Sequence, residues 1–417
     1  MFKINPKQPS LIKQIPKNLI FNFGYFGINI IIGLLLVPYF IDTLGVTGYA
    51  LIPLATSMTS YVNLVILSLN SSVSRHLTIN LQKEDYKTAN KTFNTALFGT
   101  LFLVLLMLPM TLVISYYAPE FFSIPGNQKQ DATLLFIGVI CAFILRAWSG
   151  NFGVSLFAYN RLDIQKIIDS INLLVQVALI VFLFTTFSPK LSYIGLSYFS
   201  GAFIASVFTV YFSRQINPHL KVRFNDFDLS QLKKITEMGG WITFKQIGAL
   251  FFLQIDLIIV NRIFGTVEGG EYSIALMWSI LLRGIAGLLA GVLVPVVLSY
   301  YAKNRIEEII SMSKSSVKFM GIAMALPIGL VCGFSPVILS IWVGSEFIKL
   351  WPLMIILLLP LAINLSILPL ISISIAYNKV KIPALVLFFM GIGNLLLAIA
   401  LSLVTNLGYY GVAIAGA

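Results

Sequence analysis

Four ionisable side chains lie inside long apolar stretches of this sequence: Arg146, Lys245, Asp256 and Arg283. A charged side chain at the centre of a bilayer costs roughly 2.5–3.5 kcal/mol on insertion scales. Membrane proteins therefore retain such residues where they contact polar solutes, relay protons or pair with one another. Guanidinium and ammonium groups suit phosphate, and an intramembrane carboxylate suits the exchange of a proton or cation. These four residues predict a polar site within the apolar part of the chain.

Asp256 and Arg283 fall at similar depths in two neighbouring predicted helices, both roughly 12–17 Å below the outer boundary at about 1.5 Å per residue. Two interpretations of this pair are open. In the first, the pair is structural and neutralises itself. In the second, Asp256 takes up a proton or a cation, which breaks the pair and frees Arg283 to bind phosphate. Arg262, at the outer end of the same helix as Asp256, is expected to extend to the interface.

Lys245 precedes Asp256 by about three helical turns, so both share a helix face and lie roughly 16 Å apart along the axis. This spacing predicts that Lys245 lies near the inner entrance. There it either meets a phosphate-bearing substrate first or extends its ammonium group to the water.

A polar break interrupts the apolar stretch at Arg146-Ala147-Trp148-Ser149-Gly150-Asn151. In a binding interpretation, Trp148 is a stacking platform for a sugar ring and Asn151 bonds its hydroxyls, with Arg146 roughly 20 Å deep in the helix. In the alternative, the small residues of this break serve close helix–helix packing, which membrane helices favour.

The elements that must hold these residues are membrane-spanning helices. Of the 417 residues, 58% are hydrophobic and only 11% are charged, and the mean hydropathy is +0.91. A soluble domain carries about 25% charged residues, whereas a membrane helix needs roughly 20 predominantly apolar residues. We therefore predict an all-α polytopic membrane protein with eleven full spans and the start of a twelfth. The predicted spans are 19–41, 48–73, 93–117, 132–158, 166–187, 191–213, 241–264, 272–300, 317–343, 349–377, 382–404 and 408 onward.

Most of the 28 basic residues lie in the N-terminal segment and in alternate loops, whereas the opposite loops hold Lys129, Lys190 and Lys349. Because cytoplasmic loops are enriched in Lys and Arg, the N-terminus is predicted to be cytoplasmic. Attraction to anionic lipid headgroups accounts for the net charge of +12, so no nucleic-acid partner is expected.

The sequence repeats itself at an offset of about 218 residues. Ala158-Tyr159-Asn160-Arg161 returns as Ala376-Tyr377-Asn378-Lys379, and Leu108-Pro109 returns as Leu326-Pro327. Six spans in each half make the repeats parallel. The predicted organisation is an N-terminal six-helix lobe (1–213), a cytoplasmic linker (214–240) and a C-terminal lobe (241–417). Alignment of the repeats also predicts that the twelfth helix is truncated at Ala417.

Several classes of site are excluded or disfavoured by the sequence. Cys141 and Cys332 lack a CxxC partner, and His76 and His219 are isolated, so neither a disulfide nor a metal site is predicted. No G-x-x-x-x-G-K-[ST] loop is present, which argues against ATP hydrolysis. The acidic residues of the outer loops are scattered without a paired motif, so we do not expect an enzyme.

The first predicted span, from Asn22-Phe23-Gly24 to Asp42-Thr43-Leu44-Gly45, is followed by Gly48-Tyr49 at the start of the second. With Ala158-Tyr159-Asn160-Arg161, the two parallel bundles and a proline in the third helix of each half, these residues resemble the MATE-like multidrug/oligosaccharidyl-lipid/polysaccharide exporter superfamily. Within it, the chain looks most like the polysaccharide repeat-unit flippases of the Wzx type.

This resemblance implies a function. Such flippases move undecaprenyl-diphosphate-linked oligosaccharide from the cytoplasmic to the outer leaflet by alternating access, for surface polysaccharides such as the O-antigen of lipopolysaccharide. It implies a monomer in the bacterial cytoplasmic (inner) membrane, without a cofactor, coupled to an H⁺ or Na⁺ gradient. Its partners would be membrane lipids and the polysaccharide polymerase and chain-length machinery. Arg146, Trp148, Asn151, Lys245 and Arg283 are the candidate substrate-binding residues, and Asp256 is the candidate ion-coupling residue.

The alternative is a MATE-type cation-coupled multidrug antiporter of the same fold. Pumps for organic cations are expected to have acidic cavities. In this sequence the basic residues outnumber Asp256, taken here as the single deep acid, which favours the flippase.

Overall fold

The computed structural model is built from α-helices joined by turns and short 3₁₀ segments, and its described part contains no β-strand. The described residues are 11–82, 84–122, 124, 126–233, 247–248, 250–251, 254–291, 293, 297, 300, 305–377 and 381–417. Within them, eight helices are long and apolar enough to cross a membrane. The prediction of an all-α polytopic membrane protein is therefore confirmed.

The chain divides into two compact units. Unit 1 comprises residues 1–36 and 51–243, and unit 2 comprises residues 37–50 and 244–417. The first helix, α1 (Leu11–Gln82), has residues in both units. The other described helices of unit 1 are α2 (Tyr86–Phe121), α3 (Lys129–Ala158), α4 (Leu162–Thr186) and α5 (Leu191–Ile216). Those of unit 2 are α6 (Ile255–Ile263), α7 (Thr266–Gly291), α8 (Ile306–Gly333), α9 (Ser335–Trp342), α10 (Trp351–Leu358), α11 (Leu361–Ser366), α12 (Leu370–Ala376), α13 (Lys381–Val404) and α14 (Tyr409–Gly416).

Helix α1 contains the first two predicted spans, which are separated by a break at Gly45. There φ is +73°, a left-handed conformation that glycine adopts without steric cost. The sequence placed the gap between these spans at residues 42–47, so the expected interruption is present.

Small residues allow α3 and α5 to approach closely in unit 1. A Cβ built on Gly138 would lie only 2.5 Å from the backbone of Gly195. Further along the same interface, the hydroxyls of Ser149 and Ser206 lie 2.9 Å apart. Close backbone approach at small residues stabilises helix pairs in membranes, where the hydrophobic effect does not drive association.

Two predicted spans of unit 2 are interrupted rather than continuous. The predicted span 317–343 is divided at Phe334 into α8 and α9, with Pro336 in the first turn of α9. The predicted span 349–377 becomes three short helices, with a proline at each of the two breaks, and Pro369 precedes the last of them. At the first break, Pro360 has no N–H to continue the helical hydrogen-bond pattern. The chain tightens there, and the Ile363 N–H donates to the Pro360 carbonyl at 3.2 Å.

Repeated residues occupy matching structural positions where both copies are described. Pro109 lies inside α2 and Pro327 inside α8, and both helices continue through the proline. Gly195 and Gly411 lie in the first turns of α5 and α14, each against a neighbouring helix. Asn160 adopts a left-handed turn with φ of +55° between α3 and α4. Its predicted counterpart Asn378 lies outside the described residues, as does Lys379.

Candidate functional site

Two of the predicted site residues, Asp256 and Arg283, line one cavity in unit 2. The cavity has a volume of about 190 Å³ and is bordered by α6, α7, α10, α11 and α14. Asp256 lies in the first turn of α6, and Arg283 lies on α7. Ser279 and Asn364 add polar groups to the same wall.

The carboxylate of Asp256 is held by neutral hydrogen-bond donors. The Asn394 side-chain amide of α13 donates to Asp256 Oδ1 at 3.0 Å, and the buried Tyr272 hydroxyl of α7 donates to Oδ2 at 3.4 Å. Asp256 is 8% exposed. On the other side, a Cβ built on Gly416 would lie 2.8 Å from Oδ2, so the backbone of α14 closes over the carboxylate.

Arg283 has a different environment from Asp256. Its Nε donates to the hydroxyl of Ser279, one turn earlier on α7, at 3.3 Å. Among the described residues, no carboxylate forms an ion pair with this guanidinium, and Asp256 borders the same cavity without bonding to it directly. The structure therefore places the predicted pair in one cavity but keeps the two charges apart.

The break at Pro360 positions the far wall of this cavity. The Asn364 N–H donates to the Pro360 carbonyl at 3.1 Å, and both residues line the cavity together with Leu361. Asn364 is the residue that the repeat aligns with Arg146. The interrupted helix therefore brings a polar side chain to the cavity that contains Asp256 and Arg283.

In unit 1, Arg146 forms an ion pair within the helix bundle. Its guanidinium contacts Asp169 Oδ1 of α4 at 2.8 Å and donates to the Thr209 hydroxyl of α5 at 3.1 Å. Lys166 approaches the second oxygen of Asp169 at 3.4 Å, and its ammonium group also lies 4.8 Å from the centre of the Tyr25 ring. This arginine joins α3, α4 and α5.

The other residues of the polar break pack within unit 1. Asn151 is 1% exposed, and its amide donates to the Trp148 carbonyl at 2.9 Å. Trp148 packs edge-on against Phe152 with ring centres 5.8 Å apart. This geometry supports the helix-packing interpretation of the break, and a role for Trp148 and Asn151 in sugar binding stays a prediction. Lys245 lies outside the described residues.

Unit 1 also contains a buried acid that the sequence did not single out. Asp163, at the start of α4, is buried with only 1% of its side chain exposed. Its carboxylate forms ion pairs with Lys17 at 2.8 Å and Arg161 at 3.0 Å, and it accepts a hydrogen bond from the Gln14 side-chain amide at 2.8 Å. Helix α4 begins at Leu162, before the predicted start at residue 166, so Asp163 lies inside a helix although the sequence placed it in a loop.

Asn394 and Tyr272 are site residues that the sequence analysis missed. An asparagine inside the strongly apolar α13 was a signal, because a polar side chain in a membrane helix needs a partner. That signal does not identify the partner. Only the packing of α13 against α6 shows that it is Asp256.

An ion pair of unit 2 joins two of the predicted outer loops. Lys349 pairs with Glu271 at the start of α7, and the Tyr409 hydroxyl of α14 donates to the same carboxylate at 3.1 Å. The hydrogen bond to Glu271 raises the pKa of Lys349. These loops thus meet at one end of unit 2, as their assignment to one face of the membrane requires.

Chemically, the unit 2 cavity offers an arginine for an anion and, separately, a hydrogen-bonded carboxylate for a proton or small cation. The described residues contain no cluster of three or more His, Cys, Asp or Glu side chains arranged to hold a metal ion. The arrangement suits binding and release of a charged solute.

Comparison with known sequences identifies relatives that match most of the chain. A family model described as polysaccharide biosynthesis protein matches residues 15–301. EpsK of Bacillus subtilis (strain 168), described as an uncharacterized membrane protein, is 31% identical over 396 residues. That match covers 95% of this chain and 78% of EpsK.

Solved transporter structures share the fold. An inward-facing multidrug resistance MATE family transporter of the MOP superfamily has a TM-score of 0.77 at 14% identity, covering 91% of this chain and 88% of the transporter. An outward-facing structure of such a transporter has a TM-score of 0.69 at 14% identity, covering 99% and 92%. The MATE transporter VcmN of Vibrio cholerae has a TM-score of 0.68 at 11% identity, covering 98% and 93%. At these identities the likeness shows the fold, which is the MATE-like fold expected from the sequence.

Proposed function

Because this chain belongs to the family of polysaccharide biosynthesis proteins, we propose that it is a flippase for lipid-linked oligosaccharides. Its substrate is an undecaprenyl-diphosphate-linked repeat unit, which it moves from the cytoplasmic to the outer leaflet for surface polysaccharide synthesis. The observation that carries this proposal is Arg283, a guanidinium that borders a cavity inside unit 2 without an acid paired to it in the described part of the chain. Arginine binds phosphate oxygens through charge-assisted, often bidentate hydrogen bonds.

The cavity size supports a role in holding one part of the substrate. At about 190 Å³ it has room for a phosphate-sized group and water, whose share of liquid volume is roughly 30 Å³ per molecule. The sugars and the polyprenyl chain need other surfaces. In the proposal Arg283 contacts the diphosphate, and Asn364 and Ser279 complete its hydrogen bonds.

Asp256 is the proposed ion-coupling residue. Its two partners, Asn394 and Tyr272, are neutral, so its negative charge is not cancelled by a direct ion pair. Uptake of H⁺ or Na⁺ would neutralise the carboxylate and so remove its electrostatic attraction for Arg283 across the cavity. A gradient of either ion can then bias alternating access, because a ligand shifts a conformational equilibrium only by its difference in affinity for the two states.

The multidrug antiporter remains the second candidate, because the solved structures that share the fold include multidrug transporters. Asp256 would then bind the cationic drug. Arg283 borders the same cavity and would repel that drug, since like charges across a binding site cost affinity. Once Asp256 is neutralised by a bound proton or cation, the cavity therefore favours an anionic substrate.

The proposed location is the bacterial cytoplasmic membrane, with the N-terminus in the cytoplasm and the protein acting as a monomer beside the polymerase and chain-length machinery. The contacts of unit 1 support this orientation. Lys17 near the start of α1 pairs with Asp163 at the start of α4, and the His219 ring after α5 packs at a tilt against Tyr86 at the start of α2. The basic segments thus gather at one end of unit 1, as the distribution of Lys and Arg requires for a cytoplasmic face.

The decisive experiment is reconstitution of the purified protein into liposomes that carry a fluorescent lipid-diphosphate oligosaccharide. A reagent confined to the outside reports how much label crosses between leaflets. We expect protein-dependent exchange that is competed by unlabelled lipid-diphosphate oligosaccharide. Efflux of an organic cation from the same liposomes, with no exchange of the lipid, would support the antiporter and overturn the flippase.

A further inference from the structure

The segment that follows α5 is bound along the first turns of α2 by two asparagines. The Asn90 side chain donates to the His219 carbonyl at 3.0 Å and accepts from the Lys221 N–H at 2.8 Å. Asn94 repeats the pattern one turn later, donating to the Lys221 carbonyl at 2.9 Å and accepting from the Arg223 N–H at 2.8 Å. Each amide therefore pairs with the backbone much as a neighbouring strand would, which fixes the position of this segment.

Contacts further along the segment continue the attachment. The Thr95 hydroxyl accepts from the Asp228 N–H at 3.0 Å, and Lys91 approaches the Asp228 carboxylate at 3.4 Å. Phe224 packs edge-on against Phe98, with ring centres 5.1 Å apart. Residues 217–233, which we name the surface segment, therefore follow α2 from its first turn to the level of Phe98.

This level marks the start of the apolar part of α2. The first turns of α2 are polar, and the exposed apolar residues of the helix begin at Phe102, which is 68% exposed. The 36 residues of α2 span about 54 Å, whereas a hydrocarbon core is only about 30 Å thick, so the polar first turns must lie in the headgroup region or beyond. Phe224 is therefore placed at the boundary between headgroups and hydrocarbon.

Large apolar side chains of the surface segment are exposed. Phe224 is 70% exposed, Leu229 is 71% exposed and Val222 is 45% exposed. Aromatic residues are enriched at the membrane interface, and a segment with exposed apolar groups beside basic ones lies in that interface. The exposure of these side chains is thus explained if lipid covers them.

The surface segment carries three basic and two acidic side chains. Lys221 and Arg223 are exposed and flank Val222. Lys233, and Lys87 and Lys91 on α2, add positive charge nearby. Asp226 and Asp228 are the acids of the segment, and Glu84 and Asp85 directly precede α2. Asp228 is directed to Lys91 and to the hydroxyl of Ser230, which donates to it at 2.7 Å. The outward charge is therefore positive, which complements anionic lipid.

We propose that the surface segment is an anchor for anionic phospholipid. Phe224 and Leu229 enter the interface, and Lys221 and Arg223 bind the phosphates of headgroups in the same leaflet. The anchor holds the polar end of α2 at a fixed depth, and with it the end of unit 1 where the basic loops meet. It depends on the cytoplasmic location proposed above but not on which substrate is transported.

Depth measurement in nanodiscs tests this anchor without any transport assay, and nanodiscs expose both membrane faces to reagents. A full-length chain with Cys141→Ala and Cys332→Ala carries a single nitroxide label at Phe224→Cys or Leu229→Cys. Asn225→Cys and Ser230→Cys are the matched controls, because they are adjacent to the test positions and polar. Accessibility to oxygen and to a water-soluble nickel chelate is compared in phosphatidylcholine alone and with added phosphatidylglycerol.

In the anionic nanodiscs we expect the labels at 224 and 229 to be reached by oxygen and protected from the chelate, while 225 and 230 stay open to it. Replacing Lys221 and Arg223 by Gln should lower the ratio of inserted to free segment by about fivefold for each charge removed. Equal chelate accessibility at 224 and 225 in anionic nanodiscs would overturn the anchor and favour a cytosolic protein as the partner of this surface. If the labels insert equally with and without phosphatidylglycerol, the proposed role of Lys221 and Arg223 is wrong. A failed flippase assay would leave both results unchanged.

Discussion

Arg146 and Arg283 are both arginines inside membrane-spanning units, but the groups that surround their guanidinium groups differ. In unit 1, Arg146 meets Asp169 at 2.8 Å and is joined by Thr209, so its charge is matched inside the helix bundle. In unit 2, Arg283 bonds only to a neutral serine among the described residues and borders a cavity with Asp256 across it. The same residue type thus forms an ion pair within one unit, whereas in the other it borders a cavity, where we propose that it binds a ligand.

The repeat makes this comparison more informative. The position of Arg146 corresponds to Asn364 in the second copy, and Asn364 lines the cavity that contains Arg283. The duplicated position therefore holds a paired charge in unit 1 and an uncharged hydrogen-bonding group in unit 2. A charge inside a membrane that has a matched partner supports a structural role, whereas one that borders a cavity without that partner motivates the hypothesis of a ligand.

The largest expected effect comes from removing the arginine of the cavity. Arg283→Ala should lower flipping of a lipid-diphosphate oligosaccharide by about 10- to 100-fold, because hydrogen bonds to charged groups contribute about 1.5–3 kcal/mol. Arg283→Lys should retain part of the activity, since it keeps the charge but loses the bidentate geometry. The liposome exchange assay measures both variants.

The matched control is Arg262→Ala, an exposed arginine at the end of α6 in the same unit. It should leave exchange nearly unchanged. If Arg283→Ala flips lipid as well as Arg262→Ala does, while both reach the membrane in equal amounts, the assignment of Arg283 is wrong.

A smaller effect, on stability, is expected from the paired arginine of unit 1. Asp169→Asn leaves Arg146 and Lys166 without their carboxylate and should lower the free energy of unfolding by about 1–3 kcal/mol, less than for a fully buried pair because both side chains are partly exposed. The double variant Arg146→Leu/Asp169→Leu should recover most of this loss, since it removes both charges together. The apparent Tm of the detergent-solubilised protein reports the change.

Asp256→Asn is the comparison variant in unit 2. It should lower the Tm less than Asp169→Asn does, because the partners of Asp256 are neutral and no cation loses a direct ion pair. A larger fall in Tm for Asp256→Asn than for Asp169→Asn would contradict the proposed contrast between a structural charge in unit 1 and an ion-coupling charge in unit 2.

The smallest effect concerns pH and another structural carboxylate of unit 1. Hydrogen bonds from Ser230, with Lys91 nearby, lower the pKa of Asp228 from its ordinary 3.8 to about 2. A lowered pKa in the folded state contributes stability that is present above the ordinary pKa and is lost as the pH falls through the folded value. We therefore expect amide-exchange protection of Asp228 and Ser230, corrected for intrinsic rates, to be constant from neutral pH to about pH 4 and to fall only between about pH 4 and 2.

Asp228→Asn should abolish this acid step, because it removes the titrating group. Loss of protection already near pH 6 would show that another group controls the attachment of the surface segment to α2.

Much of the architecture could be read from the residues. The Gly45 break in α1, the prolines inside α2 and α8, and the turn at Asn160 all have local causes in backbone geometry. The division of the predicted span 349–377 was not foreseen, because a proline in an apolar stretch is compatible with either a kink or a complete interruption. Whether the helix kinks or ends depends on the groups that pack around the carbonyls that the proline leaves without an N–H partner.

The sequence by itself determined that this is a duplicated helical membrane protein, because hydropathy and repeated turns are properties of the chain alone. It also identified Arg146, Asp256 and Arg283 as costly residues. Only the tertiary structure decided that Asp169 neutralises Arg146, and that Asn394 and Tyr272 hold Asp256 while Arg283 borders the cavity beside it. Partners far apart in sequence are joined by helix packing, and the cost of a buried charge depends on which of those partners the packing supplies.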